Sequence, residues 1–171
     1  MMFRFTLIAS ALVLSACAST PGGPRAVAQL QSTTGNTATG TISFTQAGDK
    51  VIVAGEVRGL KPNAEHGFHV HEKGDCSSGD GLSAGGHFNP DGKGHGQHAM
   101  GTHHAGDLPS LKADASGVAK VNFVSTSVTV GSGASDIIGR GLIVHRDPDD
   151  YKTQPTGNAG PRLACAVITR S

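Results

Sequence analysis

A chain of 171 residues is long enough to bury a sizeable core as one domain without help from metals. Glycine is abundant at 25 residues, aromatics are few and tryptophan is absent, which favours turns and close backbone packing over long helices. With 14 Lys and Arg against 13 Asp and Glu there is no basic excess to attract nucleic acid, so any electrostatic function must come from local charge.

The chain begins with a targeting signal. Arg4 supplies a positive start, and residues 5–14 form an apolar run too short for a bilayer span of about 20 residues. Leu14-Ser15-Ala16-Cys17 follows and resembles the lipobox of bacterial lipoproteins, in which the peptide is cut before the cysteine and that cysteine is acylated. Residues 1–16 are therefore expected to be a lipoprotein signal peptide. Several acyl chains on Cys17 give a stable anchor where one would be marginal. Ala18, not Asp, comes next, which by the same resemblance implies the outer membrane, facing the periplasm. Residues 17–26, small and rich in Pro and Gly, read as a lipidated tether, and 27–171 as the domain. Removal of Arg4 lowers the basic count from 14 to 13, level with the acidic count. Cys76 and Cys165 remain, exported to an oxidising compartment, with one intramolecular bridge open to them. It would close a loop of about 90 residues, worth about 4–5 kcal/mol in the chain-entropy model.

Short strands follow in order. Residues 27–31 are a strand candidate; 41–45 alternates polar and apolar residues; Ala47-Gly48-Asp49 is a hairpin-type turn; 51–57 is the next strand and 59–63 another turn. In 66–71 the period of two sends Phe68 and Val70 to one face and His69 with His71 to the other. Residues 72–106 lack any period and are rich in Gly, Ser, His and Asp, a length of irregular chain that in a compact domain signals function. Strand-like segments return at 108–113, 118–124, Val128 with Val130, 142–145 and 163–169, with a polar loop at 146–161. No helical period is sustained. The pattern predicts an all-β domain, an eight-stranded flattened barrel or sandwich with two long functional loops.

Eight of the nine histidines lie between His66 and Asp107. One histidine alone is ordinarily a surface or core residue. A cluster this dense is poorly explained by packing, and histidine is the commonest metal ligand. An all-imidazole set of four suits copper, and three histidines with one carboxylate suit closed, tetrahedral zinc. Spacing alone leaves open which histidines converge and which metal they hold.

Four segments, His66-Gly67-Phe68-His69-Val70-His71, Gly86-His87-Phe88-Asn89-Pro90, His104-Ala105-Gly106-Asp107-Leu108 and Gly157-Asn158-Ala159-Gly160-Pro161-Arg162-Leu163-Ala164-Cys165, resemble copper/zinc superoxide dismutase. The resemblance runs from about residue 27 to the end of the chain, and implies the Greek-key form of the barrel. It further implies one copper and one zinc per subunit. Copper falls to His69, His71, His87 and His145, and zinc to His87, His95, His104 and Asp107, with His87 shared and carrying the proton. Arg162 attracts the superoxide anion, Cys76 and Cys165 form the disulfide, and Asp149 accepts hydrogen bonds from one histidine of each metal. Asp147 competes for that last role, and the four-residue spacing from His145 favours Asp149. His103 competes with His104, which the following Ala-Gly-Asp favours. His66 reads as structural and His98 as a loop residue or surface metal ligand. The 146–156 loop is of the shorter, bacterial form, with Lys152 the nearest candidate for additional steering. The expected activity is dismutation of superoxide, protecting the cell envelope. The competing readings are a non-catalytic copper or zinc buffer, against which Arg162 argues, and a copper-only relative, against which His95, His104 and Asp107 argue. Monomer and homodimer both stand.

Overall fold

The strands arise from alternation. In β1 (Arg25–Ser32) the side chains of Ala26, Ala28 and Leu30 are buried; in β2 (Thr39–Ala47) those of Ile42 and Phe44; in β3 (Lys50–Arg58) those of Val51, Val53 and Val57. Their neighbours face solvent, as expected where one face of a sheet covers a core. The β2–β3 hairpin closes through Gly48 and Asp49, with Gly48 at φ 63°, a conformation glycine adopts without steric cost. This computed structural model describes residues 22–171; the expected signal peptide, Cys17 and the first part of the tether lie outside the described residues.

The remaining strands are β4 (Glu65–His66), β5 (Phe68–His71), β6 (Leu111–Lys112), β7 (Ala119–Ser125), β8 (Gly141–His145), β9 (Arg162–Val167) and β10 (Thr169–Arg170). One antiparallel sheet of eight strands curls in the order β5-β8-β9-β1-β2-β3-β7, with β10 also paired to β1. A two-stranded ladder, β4 with β6, lies between its ends: β4 leads into β5, and β6 packs on β7. This is the all-β flattened barrel expected, and Phe44, Phe68, Ile42, Leu30, Leu142 and Ile168 fill it. Among the described residues the only helical element is one 3-10 turn, Leu82–Ala84, and no helix is long and apolar enough to cross a membrane.

Three expectations need correction. The predicted strand 66–71 is broken at Gly67, whose N–H donates to the carbonyl of Asp147 rather than to a neighbouring strand. Of the predicted strand 108–113, only Leu111–Lys112 pairs as strand. Val128 and Val130 are buried but form no strand, because the surrounding backbone bonds to side chains: the N–H of Val130 goes to the side chain of Gln46, and the N–H of Gly131 to the side chain of Asp136.

Two features of the sheet position the site. β5 pairs with β8, so His69 and His71 stand next to the strand that carries His145. On the other side of β8, the ladder with β9 is regular at Ile143↔Cys165 and Val144↔Ala164, then jumps to His145↔Arg162. Leu163 is the extra residue of a β-bulge, a device that re-aims side chains at the rim of a barrel.

Candidate metal centre

All four residues of β5 are buried. Phe68 and Val70 join the main core, as their parity requires, and His69 and His71 point to the opposite face. That second face is covered by the 72–107 loop, stitched to β5 by main-chain bonds. Val70 N–H donates to Gly106 O, Phe88 N–H to Val70 O, and Gly106 N–H to Phe88 O, at 2.8–2.9 Å. Gly106 is required at that junction: a Cβ there would lie 2.2 Å from the carbonyl oxygen of Val70. The stitching delivers His87 opposite His71, as an isolated bridge.

Two sets of donor atoms result. His69, His71, His87 and His145 bring one nitrogen each within 4.8 Å of one another, and so do His87, His95 and His104 with a carboxylate oxygen of Asp107. All seven residues are buried. His87 belongs to both sets.

The hydrogen bonds fix which nitrogen of each ring is free. Nδ1–H of His71 donates to Gly85 O (2.9 Å) and Nδ1–H of His145 to Gly160 O (3.1 Å), which leaves lone pairs on their Nε2 atoms, 3.4 Å apart. His69 is turned the other way: its Nε2–H donates to Asp149 Oδ2 at 2.7 Å, and its buried Nδ1 has no partner. Nε2 of His87 is likewise buried without a partner. Four inward lone pairs with no proton to meet them are a metal-binding set.

The second set has the dimensions of a tetrahedral site. Nδ1 atoms of His87, His95 and His104 lie 2.9, 3.0 and 3.3 Å from one oxygen, Asp107 Oδ1. Bonds of about 2.0–2.1 Å to a central zinc imply tetrahedron edges of about 3.3 Å. The other carboxylate oxygen, Oδ2, accepts from the N–H groups of Gly96 and His104, fixing the plane of the group. The donors present therefore fit copper on one side and zinc on the other.

Electrostatics favour the neutral, metal-binding form of three imidazoles. Burial lowers His69 to about 4, against the pull of its Asp149 bond. Burial, then the neighbouring His87, holds His71 well below 6.5, and burial, then His69, does the same to His145. All three are neutral at pH 7. Burial also opposes charge on His95, but the carboxylates of Asp107 and Asp149 outweigh it and raise that ring to about 9. Burial opposes the charge of those carboxylates in turn, yet the imidazoles facing them hold both well below the usual range.

Asp149 sits where expected, accepting from Nε2–H of His69 through one oxygen and from Nε2–H of His95 (2.9 Å) through the other. Asp147 instead pairs with exposed Arg146. His104, not His103, joins the cluster; Nδ1–H of His103 donates to the carbonyl of His104, and that of His98 to the carbonyl of Asp107. His66 is buried, with Nδ1–H donating to His145 O at 2.9 Å.

A cleft of about 500 Å³ opens beside His145, lined also by Thr33, Asn36, Asp80 and Arg162. Arg162 is half-buried, and its guanidinium donates to the carbonyls of Gly81 and Gly85, so its charge is held at the cleft wall. Gly85 O accepts from His71 as well, tying the cation to the imidazole set. Lys152 is exposed and does not line the cleft. Cys76 and Cys165 form the disulfide, with Cα atoms 5.9 Å apart, and so fasten to β9 the loop whose carbonyls grip Arg162. Gln154 and Tyr151 escaped the sequence reading and Gly157 was given no role in it, although all three lie against this centre. The N–H of Tyr151 donates to Asp149 Oδ1, and its hydroxyl to Ser110. Only the position of Gly157 in a quoted motif marked it in advance.

Residues 38–168 match the family model described as copper/zinc superoxide dismutase. The chain is 44% identical over 135 residues to a superoxide dismutase (Cu-Zn) of Paramecium bursaria Chlorella virus 1, covering 75% of this chain and 71% of that protein. It is 41% identical over 133 residues to superoxide dismutase (Cu-Zn) 2 of Aquifex aeolicus (strain VF5), covering 75% and 78%. Among solved structures, that of the clock protein EA4 is similar at a TM-score of 0.79 and 42% identity, over 89% of this chain and 97% of that one.

Proposed function

This chain belongs to the copper/zinc superoxide dismutase family, and from that premise we propose how its residues divide the work. Copper is held by His69, His71, His87 and His145, and zinc by His87, His95, His104 and Asp107. The observation that carries this reading is the membership of His87 in both donor sets. When bound, copper supplies the one-electron redox change, so that two superoxide anions and two protons become dioxygen and hydrogen peroxide; zinc has no such change.

The protein's own groups do the rest. The Arg162 guanidinium binds the anion beside His145; it stays charged and presents a planar fork of donors. His87 holds and releases a proton at Nε2, the ring nitrogen facing the imidazole set, while Nδ1 stays fixed on the carboxylate side. Asp149 sets the tautomers of His69 and His95 together, so that Nδ1 of each faces inward. Mixing the fully metallated protein with superoxide tests the reading. Decay no faster than with the same concentration of free copper would leave only the metal buffer.

The protein is further proposed to act in a bacterial cell envelope, lipidated at Cys17 and facing the periplasm from the outer membrane. The lipobox-like Leu14-Ser15-Ala16-Cys17 supports this, as does the Cys76–Cys165 disulfide, a bond that persists in oxidising compartments. Mass measurement of Cys17 after membrane extraction tests it, and sizing of the lipid-free domain decides between monomer and homodimer.

A further inference from the structure

His95 is the only member of the proposed zinc set with glycine on both sides, Gly94 and Gly96. Its segment lies in no strand or helix, and its N–H and C=O have no main-chain partner among the described residues. Glycine loses more conformational freedom on folding than any other residue, so a Gly-His-Gly run aims a ligand poorly unless something else fixes it. The side chain of Gln154 does so. The N–H of His95 donates to Gln154 Oε1 at 2.8 Å, and Gln154 Nε2 donates to the carbonyl of His95 at 2.9 Å. One amide thus satisfies both main-chain groups of one residue, as a neighbouring strand would.

We propose that Gln154 is a positioning residue for the zinc site, locking the main chain of His95 so that its Nδ1 points at the ion. This rests on reading His95 as a zinc ligand. Asp149, from the same 146–161 loop, holds the far end of the imidazole at Nε2. The ring is therefore gripped at the backbone by Gln154 and at its tip by Asp149, and those two points determine where the remaining nitrogen lies. Outer partners of metal ligands characteristically control affinity by about 10–100-fold.

The test uses the full metallated chain and two variants, Gln154→Ala and Gln154→Met, the second keeping length and bulk but lacking the amide. Zinc release to a chelator and amide hydrogen exchange are followed together. Expected are release about tenfold faster in both variants, loss of exchange protection at the His95 amide with core amides such as that of Val53 unchanged, and an unaltered visible spectrum on the copper side. A Gln154→Met protein with wild-type release and a protected His95 amide would show that Gln154 only fills space. Faster exchange at core amides as well would also overturn the proposal, since the effect would then be global. His95→Ala is the separate control: zinc release unchanged in that variant would remove His95 from the zinc set, whatever Gln154 does.

Discussion

Arg162 stands directly across the β8–β9 ladder from His145, because Leu163 drops out of the pairing. Residues three apart in a regular strand point to opposite faces. The bulge cancels that rule, so Arg162 faces the cleft while Cys165, three residues on, makes the disulfide and Leu163 packs against the main core. Replacing Arg162 with Gln should lower kcat/KM by about tenfold and flatten its dependence on ionic strength, because the local cation is what attracts the anion. Arg162→Lys should recover part of the rate: it keeps the charge but not the fork that grips Gly81 and Gly85. Stopped-flow superoxide decay across a salt series decides this, and equal salt slopes in wild type and Arg162→Gln would refute it.

Asp149→Asn removes an acceptor that serves two imidazoles at once. One end of the asparagine amide is a donor and would confront an N–H. Zinc affinity should fall about 10–100-fold, and the His69 side should register the change in the copper absorption spectrum. Chelator competition and visible spectroscopy on the same sample separate the two effects.

Gly157 sits at φ +64°, where a Cβ would come within 1.9 Å of Asp149 Oδ1 and 2.4 Å of His95 Nε2. Gly157→Ala should therefore break the Asp149–His95 bond as well as straining the backbone by about 1–2 kcal/mol. The expected result is a lower melting temperature and zinc loss like that of Asp149→Asn. The double variant should bind zinc no worse than the weaker-binding single variant, since both act on one contact.

Metal-free protein should carry a proton on His95, raised from 6.5 to about 9. That raised value contributes stability that is complete below pH 6.5 and is lost as the pH climbs through about 9. Asp107 and Asp149, held below their ordinary 3.8, contribute stability that is present above that value and lost as acid protonates them. The lowered values of His69, His71 and His145 act the other way, costing stability as the pH falls below 6.5, so thermal melts of the metal-free protein should peak near pH 6.5 and decline on both sides. Zinc binding at pH 7.5 should expel about one proton. Calorimetry in buffers of different ionisation enthalpy would count it, and a count of zero would contradict the assignment.

The sheet was largely legible in the sequence because a half-buried strand writes its geometry as alternation: β1, β2, β3, β7 and β8 lie within two residues of their expected bounds. Of the donor sets, periodicity alone made only His69 and His71 legible, two apart on a strand and so on one face; the other members were named by the family resemblance. The rest has no period to read. The bulge at Leu163 is a break in alternation that sequence alone does not reveal. Val128 and Val130 carry strand-like side chains, but their segment bonds to the side chains of Gln46 and Asp136 instead of to strand backbone. Gln154 acts through a side chain bonding to backbone 59 residues away, a relation that no local pattern encodes.

The two donor sets differ in what holds them. His69 and His71 sit two rungs apart in the β5–β8 ladder and His145 ends β8, while His95, His104 and Asp107 hang on irregular chain fastened by side-chain bonds. One cradle is built largely on sheet, the other on loops. A molecule starved of zinc would keep the three strand-borne donors of the copper set yet loosen the shared His87 and the doorway, since the loop that reaches back to His95 also forms the cleft wall at Thr156, Ala159 and Gly160.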